Sequence, residues 1–273
     1  NIESLLKNQV KIGDIFFTTK DKLYSVLGPL KKDYLLETYN FNSTDVNKIE
    51  DKFDGEKIWI IKPSRGFQGM GIKISTNYKE LTKHLKINKQ YKDWSLQEYI
   101  SEPSLYNNRK FHIRFYILID TDNNYYLCKY GWVALAKKMY TLTDFHDNDI
   151  HDTHFQPGGE KIYYPDFLGN DSDNIDKINK KIREIIIDVK EKQSAVKCYP
   201  ESTKCYEMLG MDVMLDSDLT IKLLEINTKI GMPFVGNKMR NYLLEGVMEH
   251  YVDKYFPPKK EVKEMNYFDK IEN

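Results

Sequence analysis

The chain has 273 residues, 41% hydrophobic and 30% charged, which is enough for a sizeable buried core and ordinary for a globular protein. Lys plus Arg and Asp plus Glu are both 41, so no overall charge draws the chain to nucleic acid or to a membrane surface. No apolar run approaches the roughly 20 residues that span a bilayer, and residues 1–10 lack a signal peptide's apolar stretch; a cytoplasmic protein is expected.

Residues 1–55 mix short apolar runs with polar segments and predict a small N-terminal α/β lobe. Residues 57–62 (KIWIIK) are β-branched and aromatic, a strand pattern. They run into Pro63-Ser64-Arg65-Gly66-Phe67-Gln68-Gly69-Met70-Gly71, and strand character resumes at 72–74, so a hairpin with a glycine-rich tip is expected. A short helix is predicted over 77–88 and a strand over 95–100. Residues 111–119 (FHIRFYILI) alternate, which puts His112, Arg114 and Tyr116 on one strand face. Turn residues 120–124 lead into a paired strand over 125–129. A polar loop region over 141–175 precedes helical spacing over 174–195. Strands are expected over 205–215 and 220–227, a helix over about 237–255, and a docked or loose tail from Pro257. Cys128, Cys198 and Cys205 fit neither a metal knuckle nor a small disulfide framework, so reduced, inert thiols are expected.

The pattern is α+β with mixed sheets, and neither a dinucleotide fingerprint nor a P-loop occurs. Chemistry concentrates in three places. Lys62 ends a strand beside three closely spaced glycines, where backbone N–H groups and a point charge can hold a polyphosphate. A glycine-rich surface hairpin explains the same residues without a ligand. Asp212 and Glu225-Ile226-Asn227 lie on strands that a short turn makes neighbours. Their hard oxygen ligands suit magnesium when a nucleotide completes the shell, although a solvated acid at a strand end is commonplace. Lys110, His112 and Arg114 alternate onto one face as a basic track, which is also how a solvated sheet surface reads. In the loop, His146, His151 and His154 have a spacing that could supply zinc, a polar loop being the plainer reading.

The order of these pieces resembles the successive blocks of the tubulin tyrosine ligase-like family. The blocks are WIIKPSRGFQGMGI, LQEYISEPSLYNNRKFHIRFYILI, YLCKYGWVA, HDTHFQ and CYEMLGMDVMLDSDLTIKLLEIN, over residues 59–227. The resemblance implies an ATP-grasp fold, with mixed or antiparallel sheets in two or three lobes and ATP between them. The expected parts are an N-terminal lobe (1–55), a central lobe with glycine flap and hinge (56–105), a C-terminal lobe with the metal site (106–256) and a tail (257–273). It further implies that Lys62 contacts the phosphates under a flap of Gly66, Gln68, Gly69 and Gly71. Gln97, Glu98, Tyr99 and Ile100 become the hinge that reads adenine through the backbone at 98 and 100. Lys110 falls beside the nucleotide and Arg114 near the transferring group, both as catalytic cations. Asp212, Glu225 and Asn227 hold Mg²⁺, with Asp212 also on the nucleotide side, and Lys20 or Lys22 supplies a further lysine.

The implied reaction is ATP-dependent ligation of a free amino acid, in the manner of a glutamylase, glycylase or tyrosine ligase. It acts on a carboxylate of a protein acceptor, tubulin among the candidates, through an acyl phosphate. A small-molecule carboxylate–amine ligase and a nucleotide-binding pseudoenzyme are the alternatives. Three positions depart from the family pattern. His112 stands where an acid is usual, Ala134 where an arginine is usual, and His151-Asp152-Thr153-His154 where H-L-T-N is usual. These departures leave the nucleotide positions intact and bear on the identity of the substrates.

Overall fold

Two antiparallel sheets face each other across a cleft in the computed structural model, which describes residues 17, 19–66, 69–153, 161–169, 171–193, 198, 204–228, 230, 236–259 and 265–272. Gln68 of the expected flap and His154 of the histidine loop lie outside the described residues.

The smaller sheet has the order β1-β4-β2-β3, with β1 Thr38–Asn42, β2 Trp59–Pro63, β3 Lys73–Ser75 and β4 Asp93–Glu98. In β2 the period-two alternation buries Trp59 and Ile61, and turns Ile60 and Lys62 to the other face. The buried face packs with Trp94 and Leu96 against Leu81 and Leu85 of helix α2 (Tyr78–Ile87). That helix starts where the Asn77 side chain accepts from the N–H groups of Lys79 and Glu80. Helix α1 (Lys20–Leu27) precedes β1 and packs its Leu23 and Leu27 into the larger core.

The larger sheet is built on β6 (Arg109–Ile119). Its neighbours are β10 (Glu207–Leu215), β7 (Tyr125–Cys128), β8 (Gly131–Leu135) and the short β5 (Leu105–Tyr106). Beyond these lie β11 (Ile221–Asn227) next to β10, β9 (Lys161–Tyr164) next to β8, and β12 (Phe268–Lys270) next to β7. Odd positions of β6, Ile113 to Ile119, join Leu209, Met211 and Val213 under the long helix α4 (Ser172–Lys192). That helix buries Ile178, Ile182, Ile185, Ile186 and Val189 at helical spacing. Even positions take two roles. Tyr116 and Leu118 lie under Met239, Leu243 and Val247 of helix α5 (Asn237–Val247), whereas His112 and Arg114 meet Thr153 and Asp212. (Asn148–His151 is a one-turn helix, α3, in the loop after β8.)

Of the two alternatives for the tail, its described part takes the docked one, since β12 is hydrogen-bonded to β7 in register. Its Phe268 fills the space left by Gly246, where a Cβ would come within 2.1 Å of the ring. Cys198 and Cys205 are joined in a disulfide, which corrects the expectation of two free thiols. Their Cα atoms lie 5.6 Å apart, within the range a disulfide spans, and Thr121 holds the Cys205 backbone through two hydrogen bonds. Cys128 is a buried free thiol, and burial pushes its pKa up to about 12. Among the described residues no helix is long and apolar enough to cross a membrane.

Candidate active site

The cleft between the sheets holds about 380 Å³. Ile60 and Ile74 of the small sheet and Met214 and Leu224 of the large one supply apolar walls, and Lys62 and Lys110 enter as cations. Lys62 donates to Oε1 of Gln97 at 2.7 Å, and Gln97 in turn donates to Thr38 Oγ1. Two strands of one sheet thereby aim the ammonium. Lys110 donates to the Tyr99 hydroxyl at 2.8 Å and lies 4.0 Å from the centre of that ring. Burial lowers both lysines. Lys62 falls to about 8 with the charge of Lys20 adding to the effect, and Lys110 to about 7 with the charge of Lys62 adding to it. Two crowded, desolvated ammonium groups opening on one cleft are a device for an anion, which relieves both penalties at once.

At the hinge, the Glu98 N–H donates to the Glu37 carbonyl and the Tyr99 N–H to the Ile58 carbonyl. The Glu98 carbonyl and the Ile100 N–H belong to residues at the cleft wall. An acceptor followed by a donor two residues later suits the edge of a purine.

Strand register assembles the far end. Asp212 of β10 stands opposite Arg114 of β6 on one side and Glu225 of β11 on the other. Directly opposed residues share a sheet face, so guanidinium and carboxylates form one row. Arg114 grips Asp212 with two bonds, Nε to Oδ1 at 2.7 Å and NH2 to Oδ2 at 2.5 Å. Burial opposes the charge on Arg114, but the Asp212 carboxylate outweighs it and holds the guanidinium charged. The Asn227 amide reaches Glu225 at 2.8 Å and Asp212 at 3.5 Å, so three oxygen-bearing side chains converge. Hard oxygen donors on rigid strands fit a magnesium ion, and a half-turn of the Asn227 amide would add its oxygen to the set. Gly210, the neighbour of Asp212 along β10, leaves room for Arg114, whose guanidinium would lie 3.4 Å from a Cβ there.

Lys20, not Lys22, reaches this end. Its ammonium lies 2.8 Å from Glu225 Oε2 and 3.3 Å from the Gly66 carbonyl, while Lys22 is exposed. Gly69 and Gly71 have positive φ, 72° and 75°, and a Cβ on Gly71 would meet Pro63 at 2.8 Å, so the turn after Lys62 requires glycine there. His112 is buried between Thr153, 2.7 Å from Nδ1, and Asp212, 3.8 Å from Nε2, and faces Ala134 across the strand pair. Two histidines of the histidine loop, His146 and His151, are among the described residues. His146 meets Lys73 and His151 meets Tyr99, and among the described residues no group of three His, Cys, Asp or Glu could hold a metal. Sequence reasoning missed the side chains of Gln97 and Tyr99, which hold the two lysines. Their only signal is a polar or hydroxylated residue on the apolar strand run that ends at the hinge.

The pattern that defines the Tubulin-tyrosine ligase family matches residues 12–156 and 161–264. The chain belongs to the tubulin-tyrosine ligase family. It is similar to a probable tubulin–tyrosine ligase of Schizosaccharomyces pombe, 26% identical over 82% of this chain and 65% of that protein. It is 26% identical to the human tubulin polyglutamylase TTLL6 over 63% of this chain and 22% of that protein. With tubulin glycylase 3D of Tetrahymena thermophila the identity is 29%, over 72% of this chain and 21% of that protein. The chain therefore spans about two thirds of the first relative and about a fifth of the other two. The family implies an ATP-grasp fold, and the α+β architecture of antiparallel sheets around a cleft agrees with it.

Proposed function

We propose that this member of the family is an ATP-dependent amino-acid ligase that forms an amide or isopeptide bond on a carboxylate of a protein acceptor. The observation that carries the reading is the order of groups in the cleft and beside it. Apolar walls and the acceptor–donor pair at 98 and 100 give way to Lys62 and Lys110, and the row Arg114, Asp212, Glu225 and Asn227 continues from the cleft along the strands that carry Met214 and Leu224. A molecule with a planar base at one end and a metal-bound polyphosphate at the other matches that order.

When bound, ATP would give its γ-phosphoryl group to the acceptor carboxylate with release of ADP, the amine of the amino acid would then displace phosphate from the acyl phosphate, and Mg²⁺ would supply charge neutralisation. The chain's own residues do the rest. The Glu98 carbonyl and Ile100 N–H orient the base, and Lys62 and Lys110 meet the phosphates. Asp212, Glu225 and Asn227 hold the metal, and Lys20 is placed to leave Glu225 for an incoming anion. Arg114, already fixed by Asp212, opposes the negative charge that builds on the transferring group without having to reorganise. The Gly66 carbonyl, 3.3 Å from the Lys20 ammonium, puts the start of the glycine turn beside this end. The names of the relatives suggest tubulin as acceptor and tyrosine, glutamate or glycine as donor.

A nucleotide-binding protein without turnover is a second reading, favoured by the uncharged Ala134 opposite His112. The two separate on intact-mass measurement. A ligase adds one amino-acid residue to its acceptor in the presence of Mg-ATP, and a bare binding protein retains ATP and adds nothing.

A further inference from the structure

The hinge residue Tyr99 enters the family comparison through its backbone, yet its hydroxyl joins two other side chains of the cleft. Its hydroxyl lies 2.8 Å from Lys110 Nζ and 2.9 Å from His151 Nδ1, and His151 Nε2 lies 2.8 Å from the Asp144 carbonyl. The Tyr140 hydroxyl also adjoins that of Tyr99 but gives its own proton to the Ser101 carbonyl, so the assignment of the Tyr99 proton turns on His151. A carbonyl only accepts, so His151 carries its proton on Nε2 and Nδ1 is left as an acceptor. Tyr99 therefore donates to His151 and, with its own proton committed, offers Lys110 an oxygen lone pair. Burial, aided by the Lys110 charge, moves His151 below the usual histidine range and keeps it in this neutral form. Each link orients the next, from a loop carbonyl at the rim to the buried ammonium.

We infer that the Tyr99 side chain, itself fixed by His151, is a positioning residue that holds Lys110 aimed at the polyphosphate end of the cleft. This rests on the nucleotide reading above. The stem of Lys110 has four rotatable bonds, and its end is held in the cleft by the Tyr99 hydroxyl and by the rings of Tyr99 and Tyr140, with the charge of Asp152 acting on it as well. An ammonium has three donors, so one spent on Tyr99 leaves two for phosphate oxygens. The Tyr99 ring contributes as well, because its face draws the cation from 4.0 Å.

The test compares binding of ATP with binding of adenosine, which has the base and ribose but no phosphate for Lys110. Calorimetry is run on the wild type, Tyr99→Phe, Lys110→Met and the double variant, with circular dichroism and melting as checks on folding. The inference expects Tyr99→Phe to weaken ATP about tenfold, the loss typical of a hydrogen bond to a charged group, and to leave adenosine unchanged. It expects no further loss when Tyr99→Phe is added to Lys110→Met, since both then remove one interaction. His151→Asn keeps an acceptor near Nδ1 and should retain most ATP affinity, whereas His151→Leu should behave like Tyr99→Phe.

Equal weakening of ATP and adenosine would show that Tyr99 only builds the hinge, and unchanged ATP binding or additive losses would equally overturn the inference. The outcomes separate from those of the parent reading. Wild type that fails to bind ATP sinks both, whereas a Lys110→Met loss selective for ATP beside an inert Tyr99→Phe sinks the positioning role alone.

Discussion

At the scale of single residues, the cleft is organised by charges held where they cost stability. Lys110 and Lys62 have pKa values of about 7 and 8 in the unliganded protein, below the ordinary lysine value. A bound polyphosphate favours their charged forms, so above about pH 7 binding takes up protons. Nucleotide affinity is therefore expected to be level below that point and to fall as pH rises through 8 and 9. Calorimetry in buffers of different ionisation enthalpy would read the proton uptake directly, and a pH-independent affinity would remove the lysines from the phosphate site. The same shift has a sign for stability. A lysine whose folded pKa lies below its unfolded one destabilises the fold most at low pH, and the penalty fades as pH rises past the folded value. Lys110→Met should accordingly raise the melting temperature at pH 6 more than at pH 10, while weakening ATP binding by at least tenfold. A stabilising change that costs function is the mark expected of a group kept for its ligand.

At the scale of elements, strand register does what no residue does alone. Asp212 meets Arg114 and Glu225 only because β10 pairs with β6 and β11 at that one register. Gly131 guards it from the neighbouring strand, since a Cβ there would come within 2.4 Å of the Arg114 carbonyl. Gly131→Ala should cost about 1–3 kcal/mol, as overpacking does, and lower ligase activity by moving Arg114. Chemical denaturation and initial rates would check the pair of effects, and normal activity in a stably folded variant would contradict the role given to Arg114.

This row was the most legible part of the chain. An acid on an apolar strand, as Glu225 is in LLEIN, needs a partner, and period-two alternation predicts which residues share its face. The β6 strand and the α4 helix were legible for the same reason, each repeating its period over many residues. Other features were not. Lys20 and Lys22 are alike in sequence, and only the path of α1 sends one of them to Glu225. The disulfide depends on a Cα separation that spacing does not encode, and β12 is too short to carry a period. The side-chain work of Gln97 and Tyr99 was hidden because a strand end beside a hinge gives no periodic cue.

At the scale of the whole molecule, stability and chemistry are kept apart. The core under α4 lies on the face of the large sheet opposite to the cleft, so damage there should leave the site intact. Ile185 is fully buried in that core, and Ile185→Ala should cost about 2–5 kcal/mol with little change in the KM for ATP. ATP bound as proposed would bridge the two sheets, and at a hundredfold excess over Kd it should add about 2.7 kcal/mol to the stability of the intact chain.

The most direct measurement of the central proposal is an intact-mass assay of acceptor proteins, tubulin and the chain itself included. Each is incubated with Mg-ATP and each amino acid in turn, with Glu225→Gln as the control. The account predicts an increment of one amino-acid residue with a single donor or a narrow set of donors, absent without ATP and lost in Glu225→Gln. An unchanged mass for every acceptor and donor, from protein that binds ATP tightly, would contradict the ligase reading and leave a nucleotide-binding protein in its place.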